Sequence, residues 1–239
     1  MTMHATELLS LRGLRKAYNV GQPNEVEVLH GLDLRLDQGE FVALIGPSGS
    51  GKSTLLNILG LLERPTGGGE HHLLGQAVQD LGDDELTRLR REALGFVFQF
   101  HHLLPAFTAL ENVTMPALVR DGHVGSAQRA RGQALLEAVG LADAMDRRPA
   151  QLSGGMQQRV AIARSLMLEP ALILADEPTG NLDTASSDEV FRLLRQVHGQ
   201  GRTAFLIVTH DPRLAARCDR VIELVDGRLA RDERTKPAA

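Results

Sequence analysis

The sequence predicts an α/β fold with a mixed sheet core, an antiparallel β part near the N-terminus and an inserted helical subdomain. Three observations carry this prediction. Continuous apolar runs recur along the chain, helical patterns lie between them, and two segments that alternate apolar and polar residues precede the first run. Continuous runs are typical of parallel strands that are covered on both faces, whereas alternation is typical of half-buried strands.

The predicted strands can be placed in order. Segments 8–14 and 26–36 alternate in the manner of half-buried strands. A turn at 37–39 leads into the apolar run Phe41–Ile45, and two further runs occupy 172–175 and Ala204–Val208. We therefore expect the chain to open with antiparallel strands and to continue into a parallel sheet.

Helical patterns fill the intervals between the apolar runs. They cover 53–62, 127–139, 156–168 and 186–197, the last three before Gly140, Pro170 and Gly199. The stretch 107–146 carries no long strand pattern, which places the helical subdomain there. We expect one domain over 1–239, with its core in about 1–98 and 165–230, the helical subdomain in about 99–164, and a frayed tail at 231–239.

Composition excludes several classes of protein. The 239 residues are 43% hydrophobic and 23% charged, which is ordinary globular usage. The net charge of -4 disfavours a protein that coats nucleic acid. Cys218 is the single cysteine, so we expect no internal disulfide and a reducing compartment.

Membrane and secretion signals are not visible in the sequence. Residues 1–10 have neither a basic start nor a long apolar run, so we expect no secretory signal. A membrane-spanning helix needs about 18 or more consecutive apolar residues, and the apolar stretches are broken at Asn57, Gly60 or Asp176. We expect a chain that does not cross a membrane by itself.

Directly after Phe41–Ile45, residues 46–53 read Gly-Pro-Ser-Gly-Ser-Gly-Lys-Ser. They match the phosphate-binding pattern G-x-x-x-x-G-K-[ST] between a strand and a helix. The glycines let backbone N–H groups turn towards phosphate oxygens, and the following helix adds the positive end of its dipole. Lys52 is expected to reach the terminal phosphates and Ser53 to offer a hydroxyl to Mg²⁺. This loop predicts nucleotide binding.

The apolar run 172–175 is followed by Asp176 and Glu177. At the carboxyl edge of a parallel sheet, Asp176 is expected to face Mg²⁺ through water, and Glu177 to polarise the water that attacks the γ-phosphate. Two acids after a strand are often only solvated side chains. With a phosphate loop on what we expect to be a neighbouring strand, they predict a hydrolytic site.

A third signal lies at 152–159, Leu-Ser-Gly-Gly-Met-Gln-Gln-Arg, where Ser153 is a good N-cap and two glycines expose backbone N–H groups. A simple helix cap is the alternative. Because the loop 46–53 already holds the phosphates of one nucleotide, a second anion-binding helix start makes most sense if it closes over ATP held by another copy. This predicts a homodimer with two shared sites.

The stretches 46–53, 152–158 and 172–177, with the later His210, together resemble the nucleotide-binding subunit of ABC transporters over nearly the whole chain. The resemblance implies that Tyr18 stacks on adenine, that Gln99 approaches Mg²⁺ and the attacking water, and that His210 contacts the γ-phosphate. It implies that the loop 181–183 crosses the dimer interface.

The site residues implied by the motifs and the resemblance fall into three groups. The catalytic residues are Glu177, His210 and Gln99, and the metal-binding residues are Ser53, Gln99 and Asp176. The nucleotide-binding residues are Tyr18, Gly46, Pro47, Ser48, Gly49, Ser50, Gly51, Lys52, Ser53, Thr54, Ser153, Gly154, Gly155, Gln157 and Asp183.

Within the ABC superfamily, the stretch 95–113 most resembles the ATPases of bacterial lipoprotein-releasing systems, the Lol type. ATPases of macrolide or peptide exporters and of cell-division systems share Leu103, Leu104 and the segment 111–113, and they remain the alternative. The resemblance implies ATP hydrolysis with Mg²⁺, coupled to an integral membrane permease at the cytoplasmic face of the bacterial inner membrane. It implies no nucleic-acid partner and membrane association only through the permease.

Other functional classes fit less well. A soluble ABC ATPase acting on DNA or ribosomes would ordinarily show tandem domains or a long coiled coil, and an inactive regulatory subunit would lack Lys52, Glu177 or His210. The aromatic alternation at 95–100 is typical of one face of a strand rather than of an RNA-binding strand. The adjacent pairs at 71–72 and 101–102 are better read as surface or packing histidines than as zinc ligands.

The segment from His101 to Leu110 leads from Gln99 into the predicted helical subdomain. Its apolar residues are candidates for a permease-docking surface, because exposed apolar clusters mark partner sites. Docking is favoured for Phe107, while docking and core packing stay equally open for Leu103.

Overall fold

The structure, a computed structural model, describes residues 6–199 and 201–235. A mixed six-stranded sheet lies at the centre of the described residues. The strands are β1 Glu7–Tyr18, β2 Val26–Asp37, β3 Phe41–Ile45, β4 Glu70–Leu73, β5 Gln76–Ala77, β6 Leu94–Phe98, β7 Leu172–Asp176, β8 Ala204–Val208, β9 Arg220–Val225 and β10 Arg228–Arg234. The α-helices are α1 Lys52–Leu59, α2 Asp83–Ala93, α3 Ala109–Asp121, α4 Ser126–Ala138, α5 Gly154–Ser165, α6 Thr184–Gly199 and α7 Pro212–Ala215.

The strands form two sheets. The larger has the order β10-β9-β3-β8-β7-β6, in which β9, β3, β8, β7 and β6 run parallel and β10 pairs antiparallel with β9. The smaller sheet is antiparallel, with the order β2-β1-β4-β5. This arrangement confirms the predicted mixed sheet core and the antiparallel part near the N-terminus.

Both faces of the parallel strands are buried, which explains their continuous apolar runs. In β3, Val42 and Leu44 face the smaller sheet and helices α1 and α2. Phe41 and Ala43 point to the opposite face, where they pack in a core formed with α5, α6 and α7. Successive side chains therefore enter different cores, as the two-residue period of a strand requires.

Helices α3, α4 and α5 lie between β6 and β7 and share a third apolar core. Val113, Leu136 and Val160, one from each helix, are fully buried in it. The predicted helical insertion is therefore present.

The helix boundaries differ from the predicted ones by a few residues. Helix α1 stops at Leu59 rather than at 62, because Gly60 caps it and Leu61 has a positive φ of 56°. Helix α5 begins at Gly154, where Ser153 caps it, and ends at Ser165. The first strand runs on to Tyr18, well beyond the predicted 14.

The prediction of a frayed tail from 231 is wrong for residues 231–234, which belong to β10. Charged cross-strand contacts hold this polar strand in place. Arg220 donates to both carboxylate oxygens of Asp232 at 2.6 Å, and Arg234 lies 3.0 Å from Glu40. Residues 236–239 of the predicted tail lie outside the described residues.

Candidate active site

The carboxyl ends of β3, β7 and β8 meet at a cleft of about 500 Å³. Between β3 and β7 lies β8, so the expectation that the phosphate loop and the acidic pair follow neighbouring strands is wrong. The order of strands in a sheet is set by crossover connections, which residue patterns do not encode. The residues that line the cleft are Val28, Gly46, Ser48, Gly49, Gly51, Lys52, Ser53, Thr54, Gln99, Asp176, Glu177, Val208 and His210.

The phosphate loop wraps around the side chain of Lys52. Its ammonium donates to the carbonyl oxygens of Gly46 at 2.9 Å and Pro47 at 2.8 Å. Gly51 precedes α1 with a φ of 99°, and a Cβ there would lie 2.9 Å from Leu29 Cδ2. Among the described residues, no side chain caps the first turn of α1, so its backbone N–H groups are left to an acceptor from outside the helix. Pro47 and Ser50 belong to the loop but are not among the residues that line the cleft.

Asp176 is the last residue of β7 and lies in the cleft beside Glu177. Burial raises the pKa of the Asp176 carboxyl, and the nearby charge of Glu177 raises it further, while Lys52 opposes both. The cleft therefore disfavours the ionised form of this carboxyl until more positive charge is added.

Glu177 is held in a strained position. Its φ is 45°, which is uncommon for a residue with a Cβ, and its backbone N–H donates to Val208 O at 3.0 Å. Its carboxylate Oε2 lies 2.6 Å from His210 Nδ1. Strained residues of this kind concentrate at functional sites, and Glu177 lines the cleft.

Gln99 is held by Asn181 from the loop after β7. Gln99 Nε2 donates to Asn181 Oδ1 at 3.0 Å, and Asn181 Nδ2 donates to Gln99 O at 3.2 Å. Gly180 directly precedes Asn181, and a Cβ on it would lie 2.9 Å from Gln99 Nε2 and 3.2 Å from Glu177 Oε2. Sequence reasoning missed this role of Asn181, because the two partners are 82 positions apart.

Tyr18 ends β1 beside the cleft and keeps 38% of its surface exposed. Its hydroxyl oxygen lies 3.3 Å from Thr54 Oγ1 and donates to Glu63 Oε2 at 3.1 Å. Thr54 itself lines the cleft. No motif in the sequence pointed to Glu63.

The predicted second anion site lies elsewhere. Within the described residues, the cleft lining includes none of Ser153, Gly154, Gly155 or Gln157. Ser153 Oγ accepts from Met156 N at 3.3 Å and thereby caps α5. Gln157 Nε2 donates to the carbonyl oxygens of Pro149 at 3.1 Å and Leu152 at 3.2 Å.

Asp183 also lies outside the cleft lining among the described residues. Its carboxylate accepts from Ser186 N at 3.0 Å and from Ser186 Oγ at 2.8 Å at the start of α6. These bonds lower the pKa of the Asp183 carboxyl, the backbone bond from Ser186 most of all. Asp183 is therefore a charged, exposed cap of α6. Its neighbours Leu182 and Ser186 lie near Gly154 and Gly155 at the start of α5.

The segment between Gln99 and α3 is shaped by the buried Asn112. Its side-chain oxygen accepts from Leu104 N at 2.8 Å, and its amide donates to the carbonyl oxygens of Leu104, Phe107 and Thr108. Leu104 is 41% exposed and Phe107 is 36% exposed, whereas Leu103 packs against the core of the helical subdomain. Of the two interpretations of Leu103, the structure favours core packing.

One histidine of each adjacent pair is at least partly buried. His71 is buried in β4, and burial lowers the pKa of its imidazole to about 4. Burial also lowers the pKa of His101. Residues 6–199 and 201–235 contain no group of three or more His, Cys, Asp or Glu side chains placed to hold a metal ion.

Together, a phosphate loop and an acidic pair at the carboxyl edge of a parallel sheet define a P-loop nucleotide-binding protein. The model of the ABC transporter family matches residues 29–180, more than half of the sequence, and the chain belongs to that family. The predicted fold class and family resemblance are thereby confirmed.

Two proteins with similar sequences and one similar solved structure indicate which kinds of ABC protein this chain resembles. The lipoprotein-releasing system ATP-binding protein LolD of Anaeromyxobacter dehalogenans is 58% identical and covers 95% of this chain and 95% of its own length. The macrolide export ATP-binding/permease protein MacB 1/2 of Paracoccus denitrificans is 53% identical over 97% of this chain, which spans 34% of that protein. A dimeric ATP-binding cassette solved in a post-hydrolysis state with ADP and Pi is 40% identical and superimposes with a TM-score of 0.85, covering 97% of this chain and 100% of its own.

Proposed function

We propose that this chain is the ATP-hydrolysing subunit of an inner-membrane ABC transporter that releases lipoproteins from the inner membrane toward the outer membrane. The observation that carries the proposal is the cleft, where the phosphate loop, the acidic pair, Gln99 and His210 converge. The assignment of lipoproteins as the cargo is supported by the 58% identity to a lipoprotein-releasing ATPase over nearly the full length of both chains.

The cleft fits a nucleoside triphosphate. Helix α1 begins without a side-chain cap, so its first N–H groups and Lys52 offer donors to phosphate oxygens. In this proposal Lys52 exchanges the carbonyl oxygens of Gly46 and Pro47 for terminal phosphate oxygens, and Tyr18 stacks on adenine beside Thr54.

The oxygen atoms of the cleft fit Mg²⁺ as well. Ser53, Gln99 and Asp176 offer hydroxyl, amide and carboxylate oxygens, which hard cations prefer, and Mg²⁺ is ordinarily bound through one or two carboxylates plus substrate phosphates. When bound, the ion supplies charge that neutralises the phosphate oxygens. The raised pKa of Asp176 supports this assignment, because a cation would favour its ionised form.

Glu177 is proposed as the group that accepts the proton of the attacking water. Its carboxylate projects into the cleft, and His210 Nδ1 lies 2.6 Å away, near enough to hold its orientation. Gln99, fixed by Asn181, is placed to orient the same water. A positioned base contributes typically about 10²–10⁴ in rate.

The second half of the site is proposed to come from another copy of the chain. Ser153, Gly154, Gly155, Gln157 and Asp183 lie at exposed or half-exposed positions around the start of α5. Because they do not line this chain's own cleft within the described residues, they are available to close over ATP held by a second copy. A similar solved cassette is dimeric and is bound to ADP and Pi, which supports the presence of a second copy.

Permease subunits are proposed to dock against the helical subdomain, taken as about 99–164, while about 1–98 and 165–230 bind the nucleotide. Asn112 fixes the segment that exposes Leu104 and Phe107. Since Gln99 stands at the start of this segment, changes at the phosphates can reach whatever binds there.

Phe107→Ala should weaken co-purification with the permease and leave the Tm of the isolated chain unchanged. A large fall in Tm with intact co-purification would place Phe107 in the core instead.

The chain is proposed to sit at the cytoplasmic face of the bacterial inner membrane, held there by its permease. Within the described residues, no helix has the length and apolar character needed to cross a bilayer. The similarity to LolD-type subunits supports the location.

A macrolide-type or peptide exporter ATPase is the second candidate, favoured by 53% identity to MacB 1/2. The deciding experiment reconstitutes the chain with the permease subunits that co-purify with it. It measures ATP-dependent release of an acylated lipoprotein from proteoliposomes, and macrolide export in parallel. We expect lipoprotein release to be lost in Glu177→Gln and retained in the exposed control Glu137→Gln. ATP-dependent macrolide export without lipoprotein release would contradict the leading proposal.

A further inference from the structure

Lys16 and Tyr18 lie two residues apart on β1 and so share one face of the smaller sheet. The Lys16 side chain is only 9% exposed, and its ammonium lies 2.7 Å from Glu63 Oε1 and donates to Arg64 O at 2.9 Å. The same ammonium lies 4.9 Å from the centroid of the Tyr18 ring, within the range of a cation–π contact.

Glu63 joins the two β1 residues through its two carboxylate oxygens. Oε1 receives the Lys16 ammonium, and Oε2 accepts the Tyr18 hydroxyl at 3.1 Å. A lysine this deeply buried is costly without a charged partner, so Glu63 has a defined position rather than that of a solvated surface acid. The Tyr18 ring is consequently fixed at its hydroxyl and over its face.

The backbone around Glu63 is pinned to the same strand. Thr66 N donates to Arg15 O at 3.1 Å, Arg15 N donates to Gly67 O at 3.2 Å, and Ala17 N donates to Thr66 Oγ1 at 2.7 Å. These bonds set the distance between Glu63 and Tyr18. The arrangement therefore does not depend on a mobile side chain alone.

Helix α1 connects this cluster to the phosphate loop. It starts at Lys52, presents Thr54 Oγ1 3.3 Å from the Tyr18 hydroxyl, and ends shortly before Glu63. An eight-residue helix spans about 12 Å. Glu63 follows α1 after a turn in which Leu62 N and Glu63 N donate to Asn57 O at 2.9 Å and 3.3 Å. Helix α1 therefore carries the groups that would receive phosphates, and its C-terminal turn is hydrogen-bonded to the residue that orients Tyr18.

We propose that Glu63, with Lys16, is a positioning residue that fixes the Tyr18 ring for stacking on the adenine base. The inference rests on the proposed binding of ATP in the cleft and extends it to a residue that never touches the nucleotide. Fixing the ring before binding reduces the conformational freedom that stacking would otherwise remove, and pre-organisation of this kind increases affinity.

Positioning of the Tyr18 ring should change the affinity only of ligands that carry a base. Base stacking on an aromatic side chain contributes on the order of 10-fold to 100-fold in affinity. Glu63→Ala should forfeit part of this and weaken ADP binding about 3-fold to 10-fold, while pyrophosphate binding stays within about 2-fold. Glu63→Gln, which keeps an acceptor for the tyrosine hydroxyl but loses the charge, should fall between Glu63→Ala and the wild type.

The chain provides its own probe, because it contains one tyrosine and no tryptophan. Tyrosine emission therefore reports Tyr18 alone. We expect ADP to change this emission in the wild type and pyrophosphate to leave it unchanged. In Glu63→Ala without nucleotide, the emission anisotropy should fall, because the ring gains fast motion.

The test combines calorimetric titration with ADP and with pyrophosphate, the emission measurements, and a melting curve for each variant. Glu70→Ala is the matched control, since this exposed carboxylate on β4 lies 3.7 Å from Arg12 and away from Tyr18. Wild-type ADP affinity in folded Glu63→Ala, or equal loss of ADP and pyrophosphate affinity, would overturn the positioning role. Wild-type emission that ignores bound ADP would instead overturn the adenine placement itself, and this inference with it.

Discussion

The starts of α1 and α5 look alike in sequence and differ in structure. Glycine and serine residues lie at each start, in 46–53 and in 153–155, and each start could receive an anion. Helix α1 has no side-chain cap, begins after a left-handed Gly51, and opens into the cleft with the acidic pair. Helix α5 is already capped by Ser153 and begins at residues that line no part of that cleft in the described chain.

This difference indicates that the starts of α1 and α5 have different roles. The start of α1 is committed to an outside acceptor, since nothing within the helix satisfies its first N–H groups. The start of α5 is stable on its own and can be exposed until a second copy approaches. We propose that one chain holds the groups that act on one nucleotide and half of the enclosure for another.

Matched glycine-to-alanine substitutions at the starts of α1 and α5 should give the largest difference in the free energy of unfolding. Gly51→Ala places a Cβ at a φ of 99°, 2.9 Å from Leu29 Cδ2 and 3.2 Å from Val28 O. We expect it to lower the free energy of unfolding by about 1–3 kcal/mol. In Gly155→Ala the nearest atom to the new Cβ is 3.7 Å away, and the helical alanine should raise that free energy by about 0.5–1 kcal/mol.

Chemical denaturation of both variants checks this pair. Equal stabilities would mean that the backbone of the phosphate loop is no more constrained than the start of α5.

A smaller effect is expected from removing the cap of α5. Ser153→Ala leaves Met156 N without its side-chain acceptor and should lower the free energy of unfolding by about 1 kcal/mol. Ser48→Ala, in the phosphate loop but not a helix cap, is the control and should be near neutral in the absence of nucleotide. If the two variants unfold alike, the cap contributes nothing.

The smallest effect concerns the charge of the cleft. Because burial raises the pKa of Asp176, folding favours its protonated form, and the free energy of unfolding falls as pH rises through that pKa. Asp176→Asn cannot ionise, so without Mg²⁺ and nucleotide it should melt about 1 °C higher at pH 7. The gap should narrow as the pH falls through the raised pKa and vanish below the ordinary aspartate value of 3.8. A gap independent of pH would exclude the carboxylate as its cause.

The sequence was most informative where physical requirements are local. Phe41–Ile45 and Ala204–Val208 match the predicted strands residue for residue, because burial on both faces demands continuous apolar residues. The phosphate loop was equally clear, since its glycines and Lys52 act within a few positions of one another. β10 was missed because its stability comes from charged contacts with β9 and Glu40 rather than from apolar residues.

Pairings across the chain were beyond the reach of sequence patterns. Gln99 meets Asn181, and Tyr18 meets Glu63, only because crossovers and turns bring distant segments together. The order of β3, β8 and β7 is likewise a property of the whole sheet. Patterns identified the chemical groups at the candidate site, whereas the contacts that orient those groups required the fold.

We propose that the start of α5 serves a nucleotide held by another copy of the chain. This role is tested most directly by mixing Lys52→Ala chains with Ser153→Arg chains, each inactive alone, and measuring ATP hydrolysis at a fixed total concentration. In the mixed dimer one shared site carries both changes and the other carries neither, so hydrolysis should partly return. Absence of any recovery, with mixed dimers demonstrated by affinity capture of two different tags, would contradict the account.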